Sequence, residues 1–113
     1  MRTAALTLVL LVSGLVSSSI HAAVLRVEVD DMIHPISDEY IGRALDQAAA
    51  RRADAVLLEL RTPGGLETSM RAIVEKIIKS PVPVIVWVGP SGSRAASAGF
   101  FILEAADVAA MAP

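Results

Sequence analysis

The sequence predicts an α/β fold in which helices cover a parallel β-sheet. Four short apolar or alternating segments are separated by three segments that carry apolar residues at helical spacing. Strict alternation of this kind is typical of βαβ units, whose helical connections cross over in a right-handed sense. The 113 residues suffice for one small domain.

The first 22 residues are predicted to be a secretory signal peptide. Arg2 gives a basic start, residues 4–16 form an apolar run, and small and polar residues follow it. A spanning helix needs about 20 apolar residues, and serine and glycine interrupt this run. We expect export with cleavage after Ala22 or Ala23, and the alternative is an uncleaved membrane anchor.

The first βαβ unit is predicted from three consecutive segments. Residues 24–29 alternate and are rich in valine, which predicts a strand. Residues 37–54 predict an amphipathic helix that begins with Ser37 as its N-cap. Its predicted inward positions are Ile41, Ala44, Leu45, Ala48 and Ala49. Residues 55–60 form a short apolar run that suits a strand buried on both faces.

The second half of the chain repeats this pattern. Residues 66–80 predict a second amphipathic helix, which two following prolines terminate. Its predicted inward positions are Met70, Ile73, Val74, Ile77 and Ile78. Residues 84–88 are apolar throughout and predict a third strand. Residues 94–106 are predicted to be helical, and residues 108–112 are expected to begin a fourth strand.

Glycine-rich turns follow the second and third predicted strands. The first is TPGG, residues 62–65, and the second is GPSGSRAASAG, residues 89–99. Because the carboxyl ends of parallel strands lie at one edge of a sheet, the two turns are expected to lie side by side. This edge is the predicted location of a functional site.

Ser97 is the candidate nucleophile at this edge. It lies between two alanines at a predicted strand-to-helix junction, where the backbone can turn sharply and a substrate can approach the hydroxyl. A serine attacks a carbonyl only when a base takes its proton and donors stabilise the oxyanion. The N–H of Ala98 could be one donor. Gly64 and Gly65 could supply the second, since glycine lets the backbone reach a ligand.

The same residues also allow a structural interpretation. Residues 95–99 could be a small-residue face for close packing, with the Ser97 hydroxyl bonded back to the helix. Residues 63–65 could be an ordinary tight turn. Spacing alone favours this structural interpretation over the catalytic one.

The sequence offers no well-placed general base. His34 precedes Pro35 in the connection after the first strand, where a surface loop position is expected. Lys76 and Lys79 fall on the polar side of the second helix, where a lysine stays protonated. A lysine base must lose solvent contact to titrate near neutral pH.

Composition excludes several other classes of function. The absence of cysteine excludes disulfides and thiolate chemistry, and there is no clustering of metal ligands. No phosphate-binding or dinucleotide-binding glycine motif is present. We therefore expect no metal and no cofactor. The 10 basic and 12 acidic residues are well mixed, so no nucleic-acid partner is expected.

Four motifs in a fixed order resemble the N-terminal protease domain of the NfeD family. They are TPGG at 62–65, PVPVIVWV at 81–88, GSRAASAG at 92–99 and AMAP at 110–113. The resemblance extends over essentially all of residues 24–113. The family consists of membrane-bound serine proteases of the ClpP class that are encoded beside stomatin-like proteins. As an ordered set, the motifs favour the catalytic interpretation of Ser97.

The resemblance implies a ClpP/crotonase-like fold of stacked βαβ units and a Ser–Lys dyad. Ser97 then corresponds to the nucleophile, Gly65 and Ala98 to the oxyanion hole, and Gly64 to the turn before it. The family's lysine base lies beyond the AMAP motif. Residues 23–113 are accordingly expected to form the N-terminal part of a ClpP-like protease domain, incomplete at its C-terminus and inactive alone.

The resemblance also implies a substrate, an assembly and a location. It indicates an ATP-independent endopeptidase that cleaves apolar segments of a stomatin-like membrane protein. A homodimer is expected, associated with the membrane and with its protease domain in the periplasm. The alternative is a non-catalytic interaction module for a stomatin-like protein. A crotonase-type acyl-CoA enzyme ranks third, because it needs no serine at position 97.

Overall fold

Four strands and three helices alternate along residues 21–113, which are the residues that the computed structural model describes. The predicted signal peptide lies outside them, apart from its last two residues. The elements are β1 (Val24–Asp30), α1 (Pro35–Ala50), β2 (Ala55–Arg61), α2 (Glu67–Lys79), β3 (Val84–Val88), α3 (Ala98–Glu104) and β4 (Val108–Met111). The predicted alternation is confirmed.

The strands form one parallel sheet in the order β1-β2-β3-β4. The register pairs Val24 with Ala55, and Val56 with Val84. Each strand therefore neighbours the next strand in sequence, and right-handed crossovers then place every connecting helix on the same face. Helix α2 packs against both α1 and α3, as expected of a single helical layer. The predicted parallel α/β fold is confirmed.

The hydrophobic core lies between the sheet and this helical layer. Alternate strand residues point into it and are at most 5% exposed: Val27, Val29, Val56, Leu58, Leu60, Val84, Val86 and Val88. On the opposite face, Leu57, Ile85 and Trp87 are only half-buried. The prediction that residues 55–60 form a strand buried on both faces is thus wrong for one face, since the sequential strand order leaves that face without helices in the described part of the chain.

The N-cap of helix α1 lies three residues before the predicted one. His34 is the N-cap, and its Nδ1 accepts a hydrogen bond from the Ile36 N–H at 3.2 Å. Pro35 follows at the first helical position, where its fixed φ and missing N–H fit. Ser37 is buried inside the first turn, and its Oγ accepts from the His34 N–H at 2.8 Å. The prediction of a Ser37 N-cap is wrong, whereas His34 lies in the connection before the helix, as expected, and caps it.

The inward positions of the two long helices are largely as predicted. In α1, Ala49 is only half-buried, whereas the other four predicted positions are buried. In α2, Ile73 and Ile77 are fully buried. Ile78 was predicted to point inward but is 70% exposed, because one step of about 100° past Ile77 turns it away from the sheet. No helix within residues 21–113 is long and apolar enough to cross a membrane.

Candidate active site

The turns after β2 and β3 are in direct contact, as predicted. The Thr62 N–H donates to the Arg94 carbonyl at 2.8 Å, and the Ala96 N–H donates to the Thr62 carbonyl at 3.1 Å. This short parallel pairing holds residues 94–96 in an extended conformation. The predicted helix over residues 94–106 is therefore shorter, and it begins only after Ser97.

Ser97 has a backbone conformation that is costly for a residue with a side chain. Its φ of 51° and ψ of −114° fall outside the favoured regions, at a cost of about 1–3 kcal/mol. The side chain is exposed, makes no capping bond to α3, and has no hydrogen-bond partner among the described residues. The structural interpretation in which the hydroxyl bonds back to the helix does not hold.

Gly64 supports this conformation by close contact. A Cβ added to Gly64 would lie 2.9 Å from the Ser97 Cβ and 3.4 Å from its Oγ, so no side chain fits there. Gly64 also has a φ of 117°, which residues other than glycine rarely adopt. The first glycine of the turn is thus required both by its own backbone and by the serine beside it.

Gly65 is packed against the backbone of Ile33, the residue before the α1 N-cap. A Cβ on Gly65 would lie 2.0 Å from the Ile33 carbonyl oxygen and 2.6 Å from its nitrogen. The Ile33 N–H donates to the Gly64 carbonyl, and the Leu66 N–H donates to the Ile33 carbonyl, both at 2.8 Å. In a parallel bridge of this kind, the N–H of the central residue points away from its partner. The Gly65 N–H is therefore directed away from Ile33.

Two backbone N–H groups remain available beside Ser97. Those of Gly65 and Ala98 have no acceptor within residues 21–113, whereas the Gly64 N–H donates to Thr62 Oγ1 at 3.1 Å. Gly65, Ser97 and Ala98 all line the same groove. Gly65 and Ser97 are exposed and Ala98 is buried, and the N–H groups of Gly65 and Ala98 lack an acceptor among the described residues, whereas the amide of Gly64 is occupied within the turn.

The groove beside Ser97 runs between α2 and α3 and has a volume of about 1050 Å³. Gly65 and Ser97 lie where these helices begin, so they occupy one end of it. Its apolar lining consists of Met70, Val74, Ile78, Phe101 and Ala105. The ion pairs Glu67–Arg71 and Glu75–Lys79 lie along its α2 side. The site thus opens onto an apolar surface with a charged rim.

Each side chain considered as a general base is paired with a carboxylate. Lys76 Nζ lies 2.5 Å from Asp38 Oδ1, between α1 and α2, and Lys79 pairs with Glu75 on the α2 surface. His34 Nε2 lies 3.1 Å from Asp31 Oδ2. That hydrogen bond, together with one from the Met32 N–H, lowers the pKa of Asp31. Within the described residues, the candidate nucleophile Ser97 therefore has no base in hydrogen-bond contact.

Thr62 is the site residue that the sequence analysis missed. Its side chain is buried, and its Oγ1 bonds to both the N–H and the carbonyl of Gly64, at 3.1 and 3.2 Å. Its methyl group lies against α3, since a Cβ on Gly99 would come within 2.4 Å of Thr62 Cγ2. A hydroxyl residue two positions before a glycine is a known turn signal and could have identified it.

Solved structures define the class of this fold. The 1510-N membrane protease specific for a stomatin homolog from Pyrococcus horikoshii superposes with a TM-score of 0.77 and 35% identity, covering 82% of this chain and 47% of that one. A lysine-to-alanine variant of 1510-N in complex with a substrate peptide gives a TM-score of 0.80. ClpP1 from Listeria monocytogenes matches at 22% identity with a TM-score of 0.57, over 72% of this chain and 46% of that one. The domain has a ClpP-like fold.

Sequence comparisons identify the family. The family model of the NfeD1b N-terminal domain matches residues 23–113. The membrane-bound protease PH1510 of Pyrococcus horikoshii is 35% identical over 109 residues, which are 96% of this chain and 24% of that protein. The membrane protein NfeD1b of Bacillus subtilis is 38% identical over 74 residues, 66% of this chain and 16% of that protein. The chain belongs to the NfeD1b N-terminal domain family and spans a quarter or less of these curated relatives.

Proposed function

We propose that this chain forms the front part of an ATP-independent serine endopeptidase with Ser97 as its nucleophile. The observation that carries the proposal is the strained, exposed Ser97 beside two unoccupied backbone N–H groups. Strained backbone of this kind is concentrated at functional sites. A solvent-facing hydroxyl without a hydrogen-bond partner in the described chain is free to meet a substrate.

In the proposed reaction, Ser97 Oγ attacks the carbonyl carbon of the scissile peptide and loses its proton to a base. The N–H groups of Gly65 and Ala98 donate to the oxyanion of the tetrahedral intermediate. Collapse of the intermediate breaks the C–N bond, and the amine leaves with the proton from the base. Water then hydrolyses the acyl-enzyme and regenerates the serine.

We assign the base to a lysine of the longer protein, as the family resemblance implies. The sequence contains two lysines, and both form ion pairs, Lys76 with Asp38 between α1 and α2 and Lys79 with Glu75 on the α2 surface. A protonated, ion-paired lysine accepts no proton. The related 1510-N was solved with a substrate peptide as a lysine-to-alanine variant, which agrees with a functional lysine in that protein.

The proposed substrate is an apolar segment of a stomatin-like membrane protein. The groove that begins at Ser97 is lined by methionine, valine, isoleucine and phenylalanine, which suit apolar side chains better than charged ones. The related 1510-N is specific for a stomatin homolog. An apolar substrate would cover Ile78 and Phe101, which are now 70% and 54% exposed.

The proposed location is the periplasmic side of the membrane. Residues 1–22 have the composition of an export signal, and the relative PH1510 is membrane-bound. A homodimer is proposed from the family resemblance alone.

Ser97→Ala in the full-length protein should reduce cleavage of an apolar stomatin-tail peptide by several orders of magnitude, since the covalent route is removed. Ser93→Ala, in the same loop, is the matched control and should cleave normally. Thermal unfolding of both variants should resemble that of the wild type. Cleavage that persists in Ser97→Ala would exclude the assigned role. A folded wild type that cleaves no peptide would favour the non-catalytic interaction module.

Phe101→Ala and Phe100→Ala form a second matched pair, because the two rings are neighbours and are similarly exposed, at 54% and 51%. Phe101 lines the groove and Phe100 does not. Loss of the Phe101 ring should lower kcat/KM for an apolar peptide about tenfold, or about 1.4 kcal/mol. Phe100→Ala should leave it nearly unchanged. Equal effects would contradict the proposed substrate path.

A further inference from the structure

Thr62 connects the glycine turn after β2 with the loop that carries Ser97. Its N–H donates to the Arg94 carbonyl at 2.8 Å, and its carbonyl accepts from the Ala96 N–H at 3.1 Å. These bonds fix the loop just before Ser97. Because they use the backbone alone, they persist with any residue other than proline at position 62.

The Thr62 hydroxyl adds two hydrogen bonds to Gly64, which serine could also form. Oγ1 accepts from the Gly64 N–H at 3.1 Å and donates to the Gly64 carbonyl at 3.2 Å. Both residues are buried, so water cannot easily replace these bonds. Without the hydroxyl, the Gly64 N–H would be buried and unpaired, and the turn would have to shift to find an acceptor. A shift of this turn moves the Gly65 N–H.

The Thr62 methyl group sets the position of the first turn of α3. A Cβ added to Gly99 would lie only 2.4 Å from Thr62 Cγ2, so no side chain fits between them. The backbone of α3 therefore rests directly on this methyl group. Ser97 and Ala98 immediately precede that contact, so the methyl group fixes how far they lie from the glycine turn.

We infer that Thr62 is a positioning residue that holds the Gly65 and Ala98 N–H groups at the correct separation around the oxyanion. The inference rests on the proposed function for its catalytic consequence, but its structural part is independent of it. Threonine supplies both requirements, a hydroxyl toward Gly64 and a methyl group toward Gly99. Valine keeps the shape and loses the hydroxyl, whereas serine keeps the hydroxyl and loses the methyl group.

The first test measures how fast a fluorophosphonate probe labels Ser97 in the full-length protein, with wild type, Thr62→Val and Thr62→Ser. Thr62→Val should lower the second-order rate constant on the order of 10- to 100-fold, because a small misplacement of the site has an effect of that size. The final stoichiometry should remain that of the wild type, and Thr62→Ser should recover most of the rate. A purely structural role would instead lower the final stoichiometry. That result, or an unchanged rate in Thr62→Val, would overturn the inference.

Amide hydrogen exchange separates this inference from the proposed function. In Thr62→Val, peptides that cover residues 62–66 and 94–99 should exchange faster, whereas α1 should exchange as in the wild type. This pattern in a protein that neither cleaves nor reacts would reject the proposed function and retain Thr62 as the residue that positions the turn. Unchanged exchange in both segments would overturn the inference whatever the activity.

Discussion

Two residues other than glycine have a positive φ in the described chain, Arg52 at 52° and Ser97 at 51°, and their surroundings differ. Arg52 follows α1, where two backbone bonds close the helix end. The Ala53 N–H donates to the Ala48 carbonyl, and the Arg52 N–H donates to the Ala49 carbonyl. This is a Schellman motif, in which a left-handed residue is normal. Ser97 begins a helix, makes no capping bond, and lies directly against Gly64.

The two residues share a positive φ, but the contacts that hold them differ. At Arg52 the compensating hydrogen bonds are local, and any sequence that ends a helix in this way can form them. At Ser97 two local bonds also form, from the Gly99 N–H to the Ala96 carbonyl and from the Phe100 N–H to the Ser97 carbonyl. The Ser97 side chain takes no part in them, and the residue packs against Gly64 of another turn. A strained residue at the contact between two turns, with no capping bond from its hydroxyl, agrees with a functional role.

Gly65→Ala should displace the glycine turn from Ile33, disturb its contact with Ser97 and have the largest effect on stability. Its Cβ would lie 2.0 Å from the backbone oxygen of Ile33, so the turn must move, and we expect a loss of about 3 kcal/mol in the free energy of unfolding. Gly92→Ala is the matched control, since Gly92 also has a positive φ, at 87°, but faces open space. That change should cost only about 1 kcal/mol. Denaturant unfolding of both variants measures the difference, and equal losses would contradict a tight fit of the turn.

Ser97→Gly and Arg52→Gly should each have a smaller, favourable effect. Glycine adopts a positive φ without strain, so both variants should gain about 0.5–1 kcal/mol after the entropy of the unfolded chain is included. They should differ in function, because Ser97→Gly loses the proposed nucleophile and Arg52→Gly does not. Unfolding and peptide cleavage by the full-length variants test this. A destabilised Ser97→Gly would show that the serine side chain itself holds the loop.

Periodicity predicted the strands, the helices and their alternation along the chain, because alternation and helical spacing depend on burial, which dominates the energetics of these segments. It also predicted that the two glycine turns meet, since this follows from the geometry of parallel strands. It could not predict that residues 94–96 stay extended. Their small side chains are compatible with a helix, and only the pairing with Thr62 decides otherwise.

The N-terminus of α1 was missed for a related reason. Ser37 is a better N-cap residue than His34 by preference, but Pro35 fixes where the helix begins. At the site, Ser97 and the glycines were predictable from their sequence context. The strain at Ser97 and the double role of Thr62 depend on distances between turns that are far apart in sequence, so no local pattern encodes them.

The identity of the nucleophile is the central claim, and a covalent adduct tests it most directly. The full-length protein would be treated with a fluorophosphonate and digested, and the modified residue would be located by mass spectrometry. We expect one phosphonyl group per chain, attached to Ser97 Oγ with loss of fluoride, and no labelling of Ser97→Ala. A folded protein that remains unlabelled, or one whose adduct lies elsewhere and persists in Ser97→Ala, would contradict the account.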